Sequence, residues 1–321
     1  MTVRTLSLVS LVCLAASFGY AQQGRVGGPV AGYVFDSAAQ ALRPVLGIPG
    51  ASVLGDPVNL GIGLTTAVVS PRLDSVVAVA TDGTFHFFTL QGGTAGEVPV
   101  TAATVPERVA FSPAGTAVAL YAAGRIQVLT GLPSAPVAGN SFDLSSVLAI
   151  PAGHGHQPLT GSFAVSDDGA DVLVSAGSGV HLFGAGSPHQ LVAARGAAVA
   201  FAPGGHDAVI AGVGVTMVKD VGGAATQEAI AANGAVPATV AVAFSADSSK
   251  IYLASAVGQG VSAFDLNAGT HSLIPCNCTP VGISGMGNLF RLNEAGSAPL
   301  WLLDTTATGP RIVFVPVKAS L

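Results

Sequence analysis

The chain has 321 residues, half of them hydrophobic; only 9% are charged and the formal net charge is −5. The charges are scattered singly, with no Lys/Arg cluster able to neutralise a run of phosphates, so no nucleic-acid partner is expected. Past the N-terminus no apolar run reaches the roughly 18 residues that span a bilayer, and the hydropathy must come from many short strands instead.

Residues 1–21 read as a secretory signal peptide. Arg4 supplies the positive end, Leu6 to Phe18 the apolar stretch, and Gly19-Tyr20-Ala21 the small residues at the cleavage site. Cleavage after Ala21 would start the mature protein near Gln22, in the periplasm or the medium, with no membrane insertion afterwards. A retained anchor, or lipidation at Cys13, is the alternative reading of the same segment. Residues 22–31 are expected to form a Gly-rich flexible arm, and 32–321 a single domain.

Two strands should follow, 32–36 and 42–48, as the outer half of a sheet, with Pro44 on an edge where its missing N–H need not pair. From Thr65 a unit begins to repeat. Its clearest copy is Val109-Ala110-Phe111-Ser112-Pro113-Ala114-Gly115, which returns as Val199-Ala200-Phe201-Ala202-Pro203, Val242-Ala243-Phe244-Ser245-Ala246-Asp247, Phe163-Ala164-Val165-Ser166-Asp167-Asp168-Gly169 and Ala67-Val68-Val69-Ser70-Pro71. Each copy opens a unit of roughly 40 residues made of short strands, the period of propeller blades. The expected strands are 66–70, 75–80, 84–90 and 97–101; then 109–112, 117–121 and 125–129; 163–166, 171–175 and 180–183; 199–202, 208–211 and 215–218; and 240–245, 250–255 and 260–266. A divergent last unit gives 289–292, 300–304 and 311–315, with Trp301 in the core. The pattern predicts an all-β fold, a β-propeller of four-stranded blades. Seven blades are expected, with six as the alternative, and ring closure to which both chain ends contribute. Phe111, Phe201 and Phe244 should fill the wedges between neighbouring sheets, with a cost of about 3–5 kcal/mol for Phe111→Ala.

The Val-Ala-Phe-Ser-Pro-x-Gly unit, together with Val261-Ser262-Ala263-Phe264-Asp265-Leu266, resembles the exported bacterial propellers of the YVTN and lactonase-like superfamily over about Thr65 to Thr279. The resemblance implies the propeller fold. Lactonase-like members would need acids and a His or Asn converging on a metal in the axial channel, and no such set stands at matching repeat positions here. Fold alone does not fix function.

Chemistry-bearing residues are sparse. Cys276-Asn277-Cys278 would form a local disulfide or redox pair in an oxidising compartment; free thiols and metal ligation are the alternatives. His154 and His156, in the long insert 140–160, are candidates for a binding-face loop. Asp82, Asp167, Asp168, Asp207 and Asp247 fall in turns, where carboxylates bond local N–H groups. His86, His181, His189 and His206 read as isolated. No nucleophile elbow, zinc motif or phosphate loop occurs, so no cofactor and no catalytic residue are expected. The sequence therefore points to an exported binding or protein-interaction scaffold, its partner an unknown protein or cell-envelope ligand. A metal-dependent lactonase-like hydrolase is the alternative.

Overall fold

The computed structural model describes residues 28–101, 104–148, 159, 161–193, 198–232, 234–257, 260–307 and 309–317. Within them the chain forms strands and turns with no helix, and so no helix long and apolar enough to cross a membrane. The strands make seven antiparallel sheets, each from contiguous sequence: six of four strands and a first of three. The protein is a seven-bladed β-propeller. Blade 1 covers 30–54, blade 2 64–97, blade 3 108–143, blade 4 163–192, blade 5 198–231, blade 6 239–275 and blade 7 284–315. The signal peptide and most of the expected arm lie outside the described residues. The first strand begins at Val30, two residues inside the segment assigned to the arm.

Seven apolar clusters hold the ring together, one at every junction between neighbouring blades. They exist because the second strand of each blade is apolar on both faces. In Ala117–Ala122, for example, Ala117, Ala119 and Tyr121 face blade 4, while Val118 and Leu120 face blade 2. Side chains alternate along a strand, so a register slip of one residue would exchange the two junctions. The same division recurs in blade 5, where Ala208 and Ile210 pack toward blade 4 and Val209 and Ala211 toward blade 6.

The recurring Ser has a physical role that the repeat alone did not disclose. Ser70, Ser112 and Ser166 are fully buried at the turn between first and second strands. The Ser112 hydroxyl oxygen accepts from the N–H groups of Thr116 and Ala117 at 3.2 and 3.1 Å, and the Ser166 oxygen from Asp171 N–H at 3.0 Å. Three residues after the Ser the backbone is left-handed: Gly115 has φ 67° and Gly169 φ 71°, and Leu73 and Ser248 hold the same position at 63° and 58°. Glycine adopts that conformation without steric cost, which accounts for its place in the motif.

The turns also tie blades to one another. Asp167, in the turn of blade 4, accepts at 2.7 Å from Ala114 N–H of blade 3 and at 2.7 Å from Gly204 N–H of blade 5. His206 of blade 5 reaches back to blade 4, with Nδ1 2.9 Å from Asp171 and Nε2 3.3 Å from Asp168. His206 is thus not isolated, and neither is His86, whose Nδ1 lies 2.7 Å from Glu97.

Several expectations are corrected. The strands Val30–Asp36 and Ala41–Ile48 are the inner and middle strands of blade 1, not an outer half, and Pro44 lies in the middle strand. Its neighbour supplies the missing donor. Gly55 N–H donates to Pro44 O at 2.8 Å, so Gly55 O is left facing a proline nitrogen; Arg43 Nε donates to that oxygen at 2.8 Å. Arg43 is buried and also pairs with buried Asp36 at 3.0 Å. Both chain ends do contribute to ring closure, each as its own blade: the last strand, Arg311–Val315, pairs within blade 7. Blades 1 and 7 meet through the cluster they share, an isolated Asp36/Ala295 bridge, and Ser37 N–H donating to Ala295 O at 3.2 Å. The outer strand of blade 2 is Thr94–Glu97 rather than 97–101. Trp301 is half-buried against Phe314, not fully in the core. All three rings reach the axial lining, but Phe201 and Phe244 are buried between blades whereas Phe111 is only half-buried.

The turn carboxylates set the acid limb of stability. Asp304 is 1% exposed. Burial, the largest influence, pushes its pKa up, but donation from Thr306 and the Arg311 guanidinium outweigh it and the net shift is downward. Asp247 is lowered to about 2, first by the Ser245 hydroxyl and then by Ser249. A folded pKa below the unfolded value gives stability that is present above the unfolded pKa, about 4, and is lost as pH falls through the folded one. The melting temperature should therefore drop as pH is lowered from about 4 toward 2. Asp304→Asn should lower it at neutral pH and make the acid decline shallower; an unchanged decline would remove Asp304 from this account.

Candidate functional site

The inner strands of blades 2 to 7 surround an axial cavity of about 430 Å³. Its walls follow from the repeat. Each inner strand places small residues toward the axis, such as Ala110, Ala164, Ala200 and Ala243, because the strands crowd together there. Valines, Ile283 and five phenylalanines, among them Phe111 and Phe163, make up most of the remaining walls. The inner strands are also sheet edges, so they turn backbone N–H and C=O groups toward the axis. At the end formed by the turns between first and second strands, the lining includes Pro71, Pro113 and Pro203, which have no N–H to offer.

Among the described lining residues Arg108 is the single charged one, and none is Asp, Glu, His or Asn. No three His, Cys, Asp or Glu side chains anywhere among the described residues are placed to hold one metal ion. Sequence reasoning passed over Arg108. The signal available was a cation directly before Val109-Ala110-Phe111, where the copies in blades 4, 5 and 6 begin with Ser162, Ala198 and Ala241.

Arg108 opens the inner strand Arg108–Phe111, at the end of the channel where connections from outer strands arrive. Its Nη1 donates to Leu159 O at 2.7 Å and Gly161 O at 2.5 Å, and the guanidinium sits over the Phe163 ring, 5.3 Å from its centre. No described carboxylate forms an ion pair with it; Glu107, next in the chain, accepts Ala123 N–H instead. The residue keeps exposed surface, yet the protein packed around its head lowers the pKa from the usual value, with Tyr121 acting in the opposite sense. An arginine remains charged at any physiological pH.

Cys276 and Cys278 follow the outer strand Thr270–Pro275 in the connection to blade 7. The sulfurs are joined at 2.01 Å, and Cys278 packs against the cluster between blades 6 and 7. The same connection reaches the axis at Val281 and Gly282. Neither Cys lines the cavity, and His271 stacks on Phe264 at 4.4 Å. Mass spectrometry of unreduced, alkylated protein should return a two-proton deficit with both cysteines unmodified; alkylation at both without reductant would mean free thiols. His154 and His156 lie outside the described residues. The five singled-out aspartates remain turn residues. Asp82 accepts from Thr84 N–H at 2.9 Å and its hydroxyl at 2.6 Å, and Asp207 from Asp220 N–H at 2.9 Å.

No protein-family model matches the chain, and no curated protein matches it. Solved structures do. A functionally unknown protein from Desulfotomaculum acetoxidans DSM 771 is 13% identical with a TM-score of 0.57, over 89% of this chain and 99% of that one. Proteins from Bacteroides uniformis ATCC 8492 and Bacteroides fragilis NCTC 9343 each carry the name "putative 6-phosphogluconolactonase". The first is 16% identical (TM-score 0.57, 88% of this chain and 95% of that one), the second 14% (TM-score 0.57, 88% and 94%). At such identities the likeness establishes a common fold and nothing about activity.

Proposed function

We propose that this chain is an exported, non-catalytic binding propeller that takes its ligand in the axial cavity and works in the periplasm or outside the cell, on a cell-envelope molecule or protein. The observation that carries the reading is the lining: a cavity in the range of about 300–1,000 Å³ usual for ligand sites, walled by Ala, Val, Ile, Phe, Ser, Pro and Gly residues with one cation. General acid–base or metal-assisted hydrolysis needs titratable groups within reach of the reacting atom. Among the described residues the Ala and Val walls offer no Asp, Glu, His or Cys along the inner strands. Export rests on the N-terminal segment, and N-terminal sequencing of exported protein should begin near Gln22; recovery of Met1 would contradict it.

The rival reading, a lactonase-like hydrolase, draws on the names of two structural neighbours. One experiment separates the two. Purified protein is assayed for hydrolysis of sugar lactones, phosphorylated and not, with and without added divalent metal. No turnover above buffer is expected. Metal-stimulated turnover that is lost on filling the channel with Ala200→Trp would establish the hydrolase.

A further inference from the structure

We infer that the axial cavity selects small amphipathic anions: a carboxylate held at the mouth by Arg108 and an apolar body lying along the channel. The inference rests on the axial cavity being the binding site and adds the chemical class of its ligand.

The geometry around Arg108 is that of a prepared anion donor. One guanidinium nitrogen, Nη1, is used for structure, on Leu159 O and Gly161 O. Together with the Phe163 ring beneath, these bonds fix the plane of the group before any ligand arrives. Nε and Nη2 have no partner among the described residues, and no described carboxylate neutralises the charge. Other arginines in the molecule are mostly spent on carboxylates: Arg43 on Asp36, Arg72 on Asp74, Arg125 on Asp143, Arg291 on Glu294 and Arg311 on Asp304. In a chain with a net charge of −5, an arginine without a carboxylate partner at the rim of the axial channel is unusual. A planar fork with two adjacent donors matches a carboxylate bidentately.

The channel behind it suits an apolar chain or ring. From Arg108 to Pro113 the wall runs about 16 Å at the usual rise of a strand, past Ala110 and Phe111, with Ala164 and Ala200 on the next two blades and Ala243 and Gly285 on the opposite side of the ring. No second charge stands along this length among the described residues, so the lining itself disfavours a sugar phosphate or a zwitterion and favours a single terminal anion. Burying the body releases it from water, and the carboxylate keeps a charged partner in place of its hydration shell.

The test compares decanoate with decanol by titration calorimetry on the full-length protein. Decanoate is expected to bind more tightly, and added salt should weaken it while leaving decanol unaffected. Arg108→Gln should weaken decanoate about tenfold or more, as the loss of a charge-assisted pair implies, and leave decanol within about twofold. Arg108→Lys, which keeps the charge but not the fork, should fall between. Ala200→Trp, and Ala164→Trp as a second filling variant should the first fail to fold, should abolish binding of both probes. Equal binding of decanoate and decanol, or equal losses of the two in Arg108→Gln, overturns the anion preference while leaving the cavity as the site. Binding that survives both filling variants places the probe elsewhere and overturns the axial site itself. No binding of decanoate to the wild type overturns the inference outright.

Discussion

Arg43→Leu should destabilise the protein by about 3–5 kcal/mol, the usual consequence of removing one partner of a buried ion pair. Three groups lose a donor at once. Asp36, with a side chain 7% exposed, keeps the Ala38 and Ala39 N–H groups on Oδ1 but is left a buried carboxylate without its counter-ion on Oδ2; Gly55 O faces the Pro44 nitrogen with nothing to accept from; and Leu54 O loses a longer contact at 3.5 Å. Asp36 also sits where blade 1 bridges Ala295 of blade 7, so the damage falls on the closure of the ring. Urea unfolding of the two proteins measures the difference. A loss below about 1 kcal/mol, within the range of exposed salt bridges, would mean that the pair is effectively solvated and does not support the closure. Pro44→Ala restores a backbone donor opposite Gly55 O, so it should recover part of the loss when combined with Arg43→Leu.

Phe201→Ala should cost about 3–5 kcal/mol, the range for emptying a buried aromatic site. Phe201 is 1% exposed and packs between blades 4 and 5 against Leu173, Leu182, Ile210 and Val218. Phe111→Ala should cost distinctly less than Phe201→Ala, although the two occupy the same repeat position and both reach the channel, because Phe111 is half-buried and Phe201 fully buried. Equal losses at the two positions would contradict the difference in packing between these junctions.

What the sequence discloses, and what it hides, follows from burial. The second strand of every regular blade is legible: Ser75–Ala80, Ala208–Ala211 and Lys250–Ser255 fall where the pattern puts them, because both faces are apolar and the run is bounded by turn residues. Outer strands are not legible. Val137–Asp143 and Thr226–Ala231 are almost wholly exposed, so nothing forces an alternation, and only pairing with the strand beside them makes them strands. Blade 1 misleads for another reason. A proline reads as an edge residue, and only the folded chain brings Arg43 to the carbonyl that the proline cannot serve. The candidate site was partly legible. The repeat gives the apolar axis, but the role of Arg108 depends on its position at the channel mouth without a described carboxylate paired to it, which linear spacing does not encode.

A crystal structure of the full-length protein grown with decanoate should show seven blades of contiguous sequence, closed by packing between the first and the last, with the decanoate chain between the inner strands of blades 2 to 7 and its carboxylate on Arg108. A ring closed by strand exchange between the first and last blades, or decanoate bound only outside the channel, would contradict that arrangement.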